Sequence, residues 1–218
     1  MSITVLEPGP LTTVQDAGRI GYAAQGYRSC GAADRYAYRL ANALLGNPET
    51  AAVLECTLCG AALRFEADTV FALTGADSHA TLDDVPVPFY APLYAKAGSV
   101  LHMGAVLTGL RSYLAVGGGM ATPPALGSRS TDVKCQIGGL AGRRLQKGDT
   151  LPTGACDAKA LWQRITARQL NRPLNEKLVC VGAHPVREQG AKCLPLLRAV
   201  PGPQQDAFSD AARQAFTR

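Results

Sequence analysis

The feature that most constrains the fold is a series of short apolar runs between residues 52 and 149, separated by glycine, proline or paired aspartates. Short strands at intervals of about 8–12 residues are typical of a β-barrel or a β-sandwich. Proline has no N–H to donate to a sheet, so Pro86, Pro88 and Pro92 place their stretch at a sheet edge or in a loop. The predicted strands are 53–58, 62–66, 69–74, 78–82, 87–90, 99–103, 111–116 and 144–146.

Less regular segments flank this series. Residues 3–6 predict a strand that a Glu-Pro-Gly-Pro turn ends, and residues 11–27 predict an extended, loop-like region. Residues 32–45 predict the best helix, ended by Gly46 and Pro48. Its apolar face is expected to carry Tyr36, Leu40, Ala43 and Leu44. A second, shorter helix is predicted over 158–168.

The end of the chain loosely repeats its beginning. A strand over 194–200, a Pro-Gly-Pro turn and a helix over 209–216 with Ser209 as N-cap follow one another. This order predicts that a second copy of the unit starts here, with domains at 1–190 and 191–218. The chain would then be a fragment of a longer protein or a naturally shortened one.

Composition narrows the class of protein. The net charge is +5 and its basic residues are scattered, which argues against a nucleic-acid partner. The N-terminus lacks the pattern of a secretion signal, and no run of about 18 apolar residues predicts a membrane span. Seven cysteines without framework-like spacing indicate buried or free thiols in a reducing compartment. We therefore predict a cytoplasmic protein.

Motifs for metal or nucleotide chemistry are weak. Cys56 and Cys59 form a C-x-x-C pair, but no second pair stands at zinc-ligand spacing, so two core residues are favoured and no metal is predicted. Residues 117–119 are three glycines without the lysine and Ser/Thr of a P-loop, which favours a tight turn or a bulge. The three histidines lie far apart: His79, His102 and His184.

Three polar segments are candidates for a site. Residues 12–19 place an amide, a carboxylate and a guanidinium in a glycine-bounded loop suited to a planar polar ligand. Residues 31–35 open the predicted helix, where free N–H groups attract anions, although Asp34 equally fits a simple cap. Residues 127–131 surround an arginine with short polar side chains, or form an ordinary exposed loop.

These segments also carry a resemblance. In order, and with family-like spacing, the chain resembles the family of allophanate hydrolase subunit 2 and the C component of 5-oxoprolinase. That family includes the carboxyltransferase part of urea carboxylase and the antagonist of a sporulation kinase inhibitor. The matching runs are VLEPGPLTTVQDAGRIGYAAQG, GAADRYAYRLANALLGNPETAAVLE, FALTGAD, SYLAVGGG and LGSRSTD.

The resemblance implies a mainly β, cyclophilin-like barrel with one or two short helices, usually in two tandem copies. It implies a partner of the type of allophanate hydrolase subunit 1 or the B component of 5-oxoprolinase, and a small amide or lactam substrate. ATP or carboxybiotin would act through the assembled complex. The expected function is ATP-dependent opening of 5-oxoproline to glutamate. Carboxyl transfer to urea and a non-catalytic regulatory binding module are the alternatives.

Site residues are also carried over from the family. Asp16, Asp34 and Arg19 are the expected catalytic residues. The expected substrate-binding residues are Gln15, Glu55, Asp77, Ser128 and Arg129. The chain departs from the family where Cys30 replaces a serine and Ala33 a methionine, and where it stops roughly a hundred residues short of the usual length.

Overall fold

The computed structural model describes residues 1–170. In this part of the chain there are two α-helices, α1 (Arg35–Leu45) and α2 (Ala158–Leu170), and a 3-10 turn covers Ala23–Gln25. The strands are β1 (Ser2–Glu7), β2 (Leu11–Gln15), β3 (Val53–Thr57), β4 (Ala62–Phe65), β5 (Thr69–Gly75), β6 (Thr81–Leu82), β7 (Val85–Pro86), β8 (Pro92–Ala95), β9 (Val100–His102), β10 (Arg111–Val116) and β11 (Thr150–Pro152).

The strands form two antiparallel sheets. One has six strands in the order β11-β1-β4-β9-β6-β7, and the other has five in the order β2-β3-β10-β5-β8. Apolar side chains from both sheets, such as Ile3, Leu63, Leu54 and Leu114, share one buried core. Because alternate residues of a strand face opposite sides of the sheet, one face of each sheet is enough to build this core. The mainly β, barrel-like prediction is confirmed.

A second buried cluster lies on the other face of the five-stranded sheet. There α1 packs on β5 and β10, and Ala37 and Ala41 of the helix share a core with Ala72 and Ala115 of the strands. Small side chains on both surfaces allow the helix to approach the sheet closely. Residues from α2, including Leu161, complete the cluster. The helices therefore cover the sheet that carries the polar residues described below.

Several predicted strand boundaries are wrong. The segment 11–27, predicted as a loop, begins with β2, which pairs with β3 and is buried from Thr12 to Gln15. Residues 87–90 and 144–146 form no strand, and only the end of 78–82 does. The prediction for the prolines is confirmed, since β7 and β8 with Pro86 and Pro92 are edge strands.

The predicted apolar face of the first helix is wrong as well. Helix α1 begins at Arg35, three residues later than predicted, and Tyr36 is 62% exposed. The buried residues are Ala37, Tyr38, Ala41, Asn42 and Leu45. Because Asn42 is polar, apolar spacing alone did not indicate that this face is buried. Asn42 is tolerated because its amide donates to the carbonyl of Ala51 at 2.9 Å.

The predicted helix end is confirmed, since Gly46 adopts a left-handed conformation and closes α1. No helix of the described residues has the length and apolarity needed to cross a bilayer. The predicted strand 194–200, the helix 209–216 and the domain boundary at residue 190 lie outside residues 1–170.

Candidate functional site

The end of β2 and the segment 128–130 are joined by one buried carboxylate. Asp16 Oδ1 accepts hydrogen bonds from the hydroxyls of Ser128 and Ser130 at 2.7 and 2.5 Å and from the N–H of Gly18 at 2.8 Å. Its Oδ2 accepts from the N–H of Arg129 at 2.5 Å. We call Asp16, Ser128, Arg129 and Ser130 the Asp16 cluster. Two of the three polar segments predicted from the sequence, 12–19 and 127–131, are therefore brought together.

Arg19 and Gln15 lie beside the Asp16 cluster. The guanidinium of Arg19 donates to the carbonyl oxygens of Ala125 at 3.1 Å and Ser130 at 3.0 Å, and the residue is only 2% exposed. The amide of Gln15 donates to Thr13 Oγ1 at 3.0 Å and to the carbonyl of Thr131 at 3.2 Å. Both side chains are therefore fixed by neighbours in the protein.

Three buried polar atoms in this region have no partner among the described residues. They are Arg19 Nη1, Arg129 Nε and Gln15 Oε1. Most buried polar groups in folded proteins are hydrogen-bonded, so such atoms point to a missing partner. Two donors and one acceptor fit a ligand that offers acceptor oxygens and an N–H group. These three atoms are therefore the candidate ligand contacts of this region.

A second buried carboxylate lies on the helix-covered face of the five-stranded sheet. Glu55 Oε2 accepts from the hydroxyl of Tyr113 and from the N–H of Ala33, both at 2.8 Å. Its Oε1 accepts from Arg111 at 3.1 Å. The Tyr113 hydroxyl in turn accepts from the N–H of Asp34 at 2.7 Å. We call Glu55, Arg111 and Tyr113 the Glu55 cluster, which anchors the chain just before α1.

The Tyr113 phenol stays protonated in this cluster. Burial, chiefly, and the charge of Glu55 raise the pKa of Tyr113 above its ordinary value, against an opposing effect of the Asp34 N–H. A neutral phenol can donate to the carboxylate and accept from a backbone N–H at the same time. Tyr113 is therefore a bridge between Glu55 and the start of α1.

Strand register joins the two clusters. Thr13 on β2 pairs with Glu55 on β3, Glu55 pairs with Tyr113 on β10, and Tyr113 pairs with Thr74 on β5. These four residues form a polar row across the helix-covered face. At one end of the row Thr13 contacts Gln15, and at the other the hydroxyl of Thr74 donates to the carbonyl of Ala37 in α1.

The third predicted segment, 31–35, reaches both clusters. Its Ala32 N–H donates to the carbonyl of Asp16 at 2.9 Å, while Ala33 and Asp34 contact the Glu55 cluster. Asp34 is the N-cap of α1, and its Oδ1 accepts from the N–H groups of Tyr36 and Ala37, both at 3.0 Å. The capping alternative for Asp34 is thus observed. Its Oδ2 makes no hydrogen bond within residues 1–170.

Asp34→Ala is expected to lower the free energy of unfolding by about 1 kcal/mol, because two N–H groups at the start of α1 lose their acceptor. Asp34→Ser, which keeps an acceptor oxygen, should recover most of that loss. Urea denaturation of the three proteins measures both values. Equal stability of the alanine and serine variants would contradict a capping role.

Asp77 lies apart from these contacts. It is exposed, and among the described residues its Oδ1 accepts only from the N–H of His79 at 2.8 Å, in a local turn after β5. Of the eight predicted site residues, seven are thus linked through the two clusters or lie beside them. Asp77 remains a prediction that no contact within residues 1–170 supports.

Three residues of these clusters were not among the predicted site residues. The hydroxyl of Ser130, like that of Ser128, donates to Asp16, and Arg111 and Tyr113 donate to Glu55. Alternation within β10 puts Arg111 and Tyr113 on the same face, so the period-2 pattern of a strand is the signal that could have revealed them. Ser130 lies within the polar segment 127–131 predicted as a candidate from the sequence, and that segment is the signal that could have revealed it.

The glycine turn 117–119 does not fit a phosphate group. Gly117 N–H donates to the carbonyl of Val70, Gly118 N–H to Asn47 Oδ1, and Gly119 N–H to the carbonyl of Val116. A phosphate cradle needs free N–H groups, and these three are engaged. The predicted tight turn is confirmed. Within residues 1–170 no group of three or more His, Cys, Asp or Glu residues could hold a metal ion.

Two antiparallel sheets that share one buried core define a mainly β, barrel-like domain. The chain belongs to the family of the carboxyltransferase domain, subdomain A and B, whose model matches residues 25–218. The family predicted from the ordered motifs is thereby confirmed.

The similar proteins are of two kinds, 5-oxoprolinase components and urea enzymes. The chain is 40% identical to the C component of 5-oxoprolinase from Escherichia coli (strain K12), over 99% of this chain and 63% of that protein. It is 44% identical to the corresponding 5-oxoprolinase component of Haemophilus influenzae over 69% of this chain and 49% of the relative. Urea amidolyase of Saccharomyces cerevisiae is 40% identical over 69% of this chain and 8% of its own length.

Two solved structures of urea enzymes are also similar to this chain. The urea amidolyase of K. lactis superposes with a TM-score of 0.70 at 40% identity, over 72% of this chain and 10% of that one. The Kluyveromyces lactis urea carboxylase gives the same TM-score and identity, over 72% of this chain and 14% of that chain. The chain therefore spans 49–63% of the two 5-oxoprolinase components and a small part of the urea enzymes.

Proposed function

We propose that the chain is a component of a cytoplasmic 5-oxoprolinase-type enzyme that opens 5-oxoproline to glutamate with ATP. It would work with a partner of the type of allophanate hydrolase subunit 1 or the B component of 5-oxoprolinase. The observation that carries this proposal is the set of unpaired buried atoms on Arg19, Arg129 and Gln15, within residues 1–170. 5-Oxoproline has a carboxylate and a lactam carbonyl to accept hydrogen bonds and a lactam N–H to donate one. The 40% identity to a 5-oxoprolinase component over 99% of the chain supports the same substrate.

Arg19 and Arg129 orient the substrate in this proposal. Guanidinium groups bind carboxylates through paired, charge-assisted hydrogen bonds, and Arg19 is held rigidly by two backbone carbonyls. Gln15 would accept from the lactam N–H through its free Oε1. Ordering these groups before the substrate arrives lowers the cost of binding it.

The predicted carboxylates divide into different roles. Both oxygens of Asp16 are occupied by protein donors, so we assign it and Ser128 to positioning rather than to proton transfer. Glu55 is assigned to positioning for the same reason. Asp34 keeps one oxygen outside its cap and is the remaining candidate for proton transfer. Asp77 stays a candidate substrate contact.

ATP or carboxybiotin would be supplied through the assembled complex. The glycine turn 117–119 does not fit a phosphate, since its N–H groups are engaged within the protein. We therefore assign nucleotide contact to a partner subunit.

Arg19→Ala in the assembled complex is expected to lower kcat/KM for 5-oxoproline at least tenfold, because the substrate loses an orienting charge. The measurement is ATP-dependent glutamate formation after co-expression with the subunit 1 type partner and addition of the remaining component. Arg39→Ala is the control, since Arg39 is a surface residue whose ion-pair partner, Glu49, is also exposed. A melting curve for each variant shows whether loss of activity follows loss of folding.

A truncated substrate makes the same test specific to the carboxylate. 2-Pyrrolidinone has the lactam ring of 5-oxoproline without its carboxylate. If Arg19 binds that carboxylate, wild-type protein should process 2-pyrrolidinone poorly, and Arg19→Ala should cause little further loss. An equal loss on both substrates would remove Arg19 from carboxylate binding.

Carboxyl transfer from carboxybiotin to urea is the second candidate function. The superposition on the K. lactis urea amidolyase at 40% identity favours it. Urea has no carboxylate, so this function predicts no advantage of 5-oxoproline over 2-pyrrolidinone and no glutamate formation. A stable complex that catalyses neither reaction would favour the third alternative, a regulatory binding module.

A further inference from the structure

The guanidinium of Arg19 takes its orientation from two backbone carbonyls. Its Nε donates to the carbonyl of Ala125 at 3.1 Å and its Nη2 to that of Ser130 at 3.0 Å, while Nη1 has no partner among the described residues. Because a guanidinium is planar and rigid, fixing two of its nitrogens also fixes the direction of the third. The place of the Ser130 carbonyl therefore decides where Arg19 Nη1 points.

Gly138 lies directly against this carbonyl. A Cβ atom at position 138 would overlap the carbonyl oxygen of Ser130 and would lie 3.0 Å from Nη2 of Arg19. The φ angle of Gly138 is +70°, a left-handed conformation that glycine adopts more easily than other residues. The close approach and the positive φ are two separate reasons for glycine at this position.

The backbone on both sides of Gly138 is tied to the segment that contains Ser130. The residue before it, Ile137, exchanges two backbone hydrogen bonds with Asp132, at 2.9 and 3.2 Å. The N–H of the residue after it, Gly139, donates to the carbonyl of Arg129 at 2.8 Å. Gly138 therefore cannot move away from Ser130 without breaking these bonds.

Ser130 is held equally on its other side. Its hydroxyl donates to Asp16 Oδ1 and accepts from the Asp16 N–H at 2.9 Å, and the next N–H, that of Thr131, donates to the carbonyl of Val14 at 2.9 Å. Ser130 thus lies between Gly138 and the end of β2. A side chain at position 138 would displace the Ser130 carbonyl, and with it the acceptor of Arg19 Nη2.

We propose that Gly138 is a positioning residue for the binding of the substrate carboxylate. By carrying no side chain, it leaves room for the Ser130 carbonyl, which holds Arg19 with Nη1 directed at the ligand. The inference rests on the proposed function for the identity of the substrate, whereas the orientation of Arg19 can be measured without any activity. Gly138 itself touches no reacting atom in this proposal, since it acts through Ser130 and Arg19.

A second glycine separates this contact from backbone strain. Gly148 has a φ of +85°, and a Cβ atom added there would meet nothing within 4 Å. Gly148→Ala therefore carries the cost of a left-handed alanine alone, while Gly138→Ala carries that cost and the contact with Ser130. Any difference between the two variants beyond folding reports the contact.

NMR of the full 218-residue chain, labelled with 15N-arginine, measures the orientation of Arg19 directly. The Nε–H signal of Arg19 is assigned by its absence in Arg19→Lys. In wild-type protein the two Nη groups of Arg19 should give separate signals, because the bond to Ser130 slows rotation of the guanidinium. Gly138→Ala should shift the Nε–H signal and merge the Nη signals, and Gly148→Ala should leave both as in wild type. Melting curves identify the folded variants.

Kinetics of the assembled complex test the consequence for the substrate. Gly138→Ala is expected to lower kcat/KM for 5-oxoproline about tenfold, because the orienting charge is misplaced. It should change kcat/KM for 2-pyrrolidinone, which has no carboxylate, much less. In an Arg19→Ala background, Gly138→Ala should add little further loss, since residues that act through one another are not additive. A merely structural effect would add in full and would reduce both substrates equally.

The outcomes separate this inference from the proposed function. Arg19 signals that are the same in folded Gly138→Ala and Gly148→Ala would overturn the role of Gly138, as would equal losses on the two substrates. A wild-type complex that forms no glutamate would overturn the proposed function, while the Arg19 signals still decide the role of Gly138.

A folding defect in Gly138→Ala does not end the test. Gly138→Asn adds the same Cβ atom with a residue that tolerates the left-handed conformation better, and it takes the place of the alanine variant. The wild-type protein also gives a result by itself. If the guanidinium of Arg19 rotated as freely as that of the exposed Arg39, Ser130 would not hold it and the inference would be wrong.

Discussion

Replacing Asp16 by alanine is expected to lower the free energy of unfolding by about 3–5 kcal/mol and the melting temperature by about 10 °C. The change leaves two serine hydroxyls and the N–H groups of Gly18 and Arg129 without their acceptor in a buried place. Thermal and urea denaturation of the purified chain measure the loss. Because Asp16 holds Arg129, the variant should also lose activity in the assembled complex.

Two variants make this prediction specific. Asp77→Ala removes an exposed carboxylate that accepts a local hydrogen bond from His79, and it should cost less than about 1 kcal/mol. Asp16→Asn keeps one acceptor oxygen and should fall between wild type and Asp16→Ala. If Asp16→Ala proved as stable as Asp77→Ala, the two serines would have to find other acceptors, and the positioning role would be lost.

Glu55→Ala is expected to be the second most damaging change, at about 3 kcal/mol. It leaves the Tyr113 hydroxyl and the Ala33 N–H unpaired and removes the partner of Arg111. Arg111 is 29% exposed in its side chain, so water can replace part of its lost contact and the cost stays below that of a fully buried pair. Chemical denaturation measures the change.

Glu7→Ala is the matched control, because Glu7 is an exposed strand residue. It should change stability by no more than about 0.5 kcal/mol. Glu55→Gln keeps an acceptor for Tyr113 and should lose less than Glu55→Ala. Equal losses for the glutamine and alanine variants would mean that the negative charge, rather than the hydrogen-bond geometry, holds this cluster.

The strands that could be predicted are those whose own residues form a buried or alternating apolar run. The runs at β3, β4, β5, β9 and β10 alternate or continue as buried strands should, and they stand near their predicted places. The loop predicted over 11–27 was wrong at β2 because Thr12, Thr13 and Gln15 look like loop residues. They are buried instead, since the hydroxyl of Thr12 donates to Pro8 and Gln15 donates to Thr13.

The helix face could not be predicted from apolar spacing alone. Asn42 lies in the buried face of α1, and the carbonyl of Ala51 that satisfies it belongs to another segment. Such a partner is set by tertiary structure, which a single-helix pattern does not contain. The same limit explains why the sequence left two interpretations of Asp34, anion binding and capping, which its contacts with Tyr36 and Ala37 distinguish.

Assembly of the candidate site was predictable only in part. The polar segments were found from composition, and the resemblance named Asp16, Glu55 and Ser128 as site residues. Neither source contained the contacts among them, because residues 16 and 128 are 112 positions apart in the chain. The different contacts of Asp16 and Asp34 therefore depend on geometry that the sequence does not express.

The long sequence separation between Asp16 and its serine partners has a consequence for the order of folding. These hydrogen bonds join residues 112 and 114 positions apart, so closing them costs chain entropy that local contacts do not repay. On a ribosome, Asp16 must wait until residue 130 has emerged, whereas β2 can pair with β3, and β5 with β8, before that point. Binding competence should therefore arise late in folding, after most of the secondary structure, and a ligand would select molecules that have completed that last step.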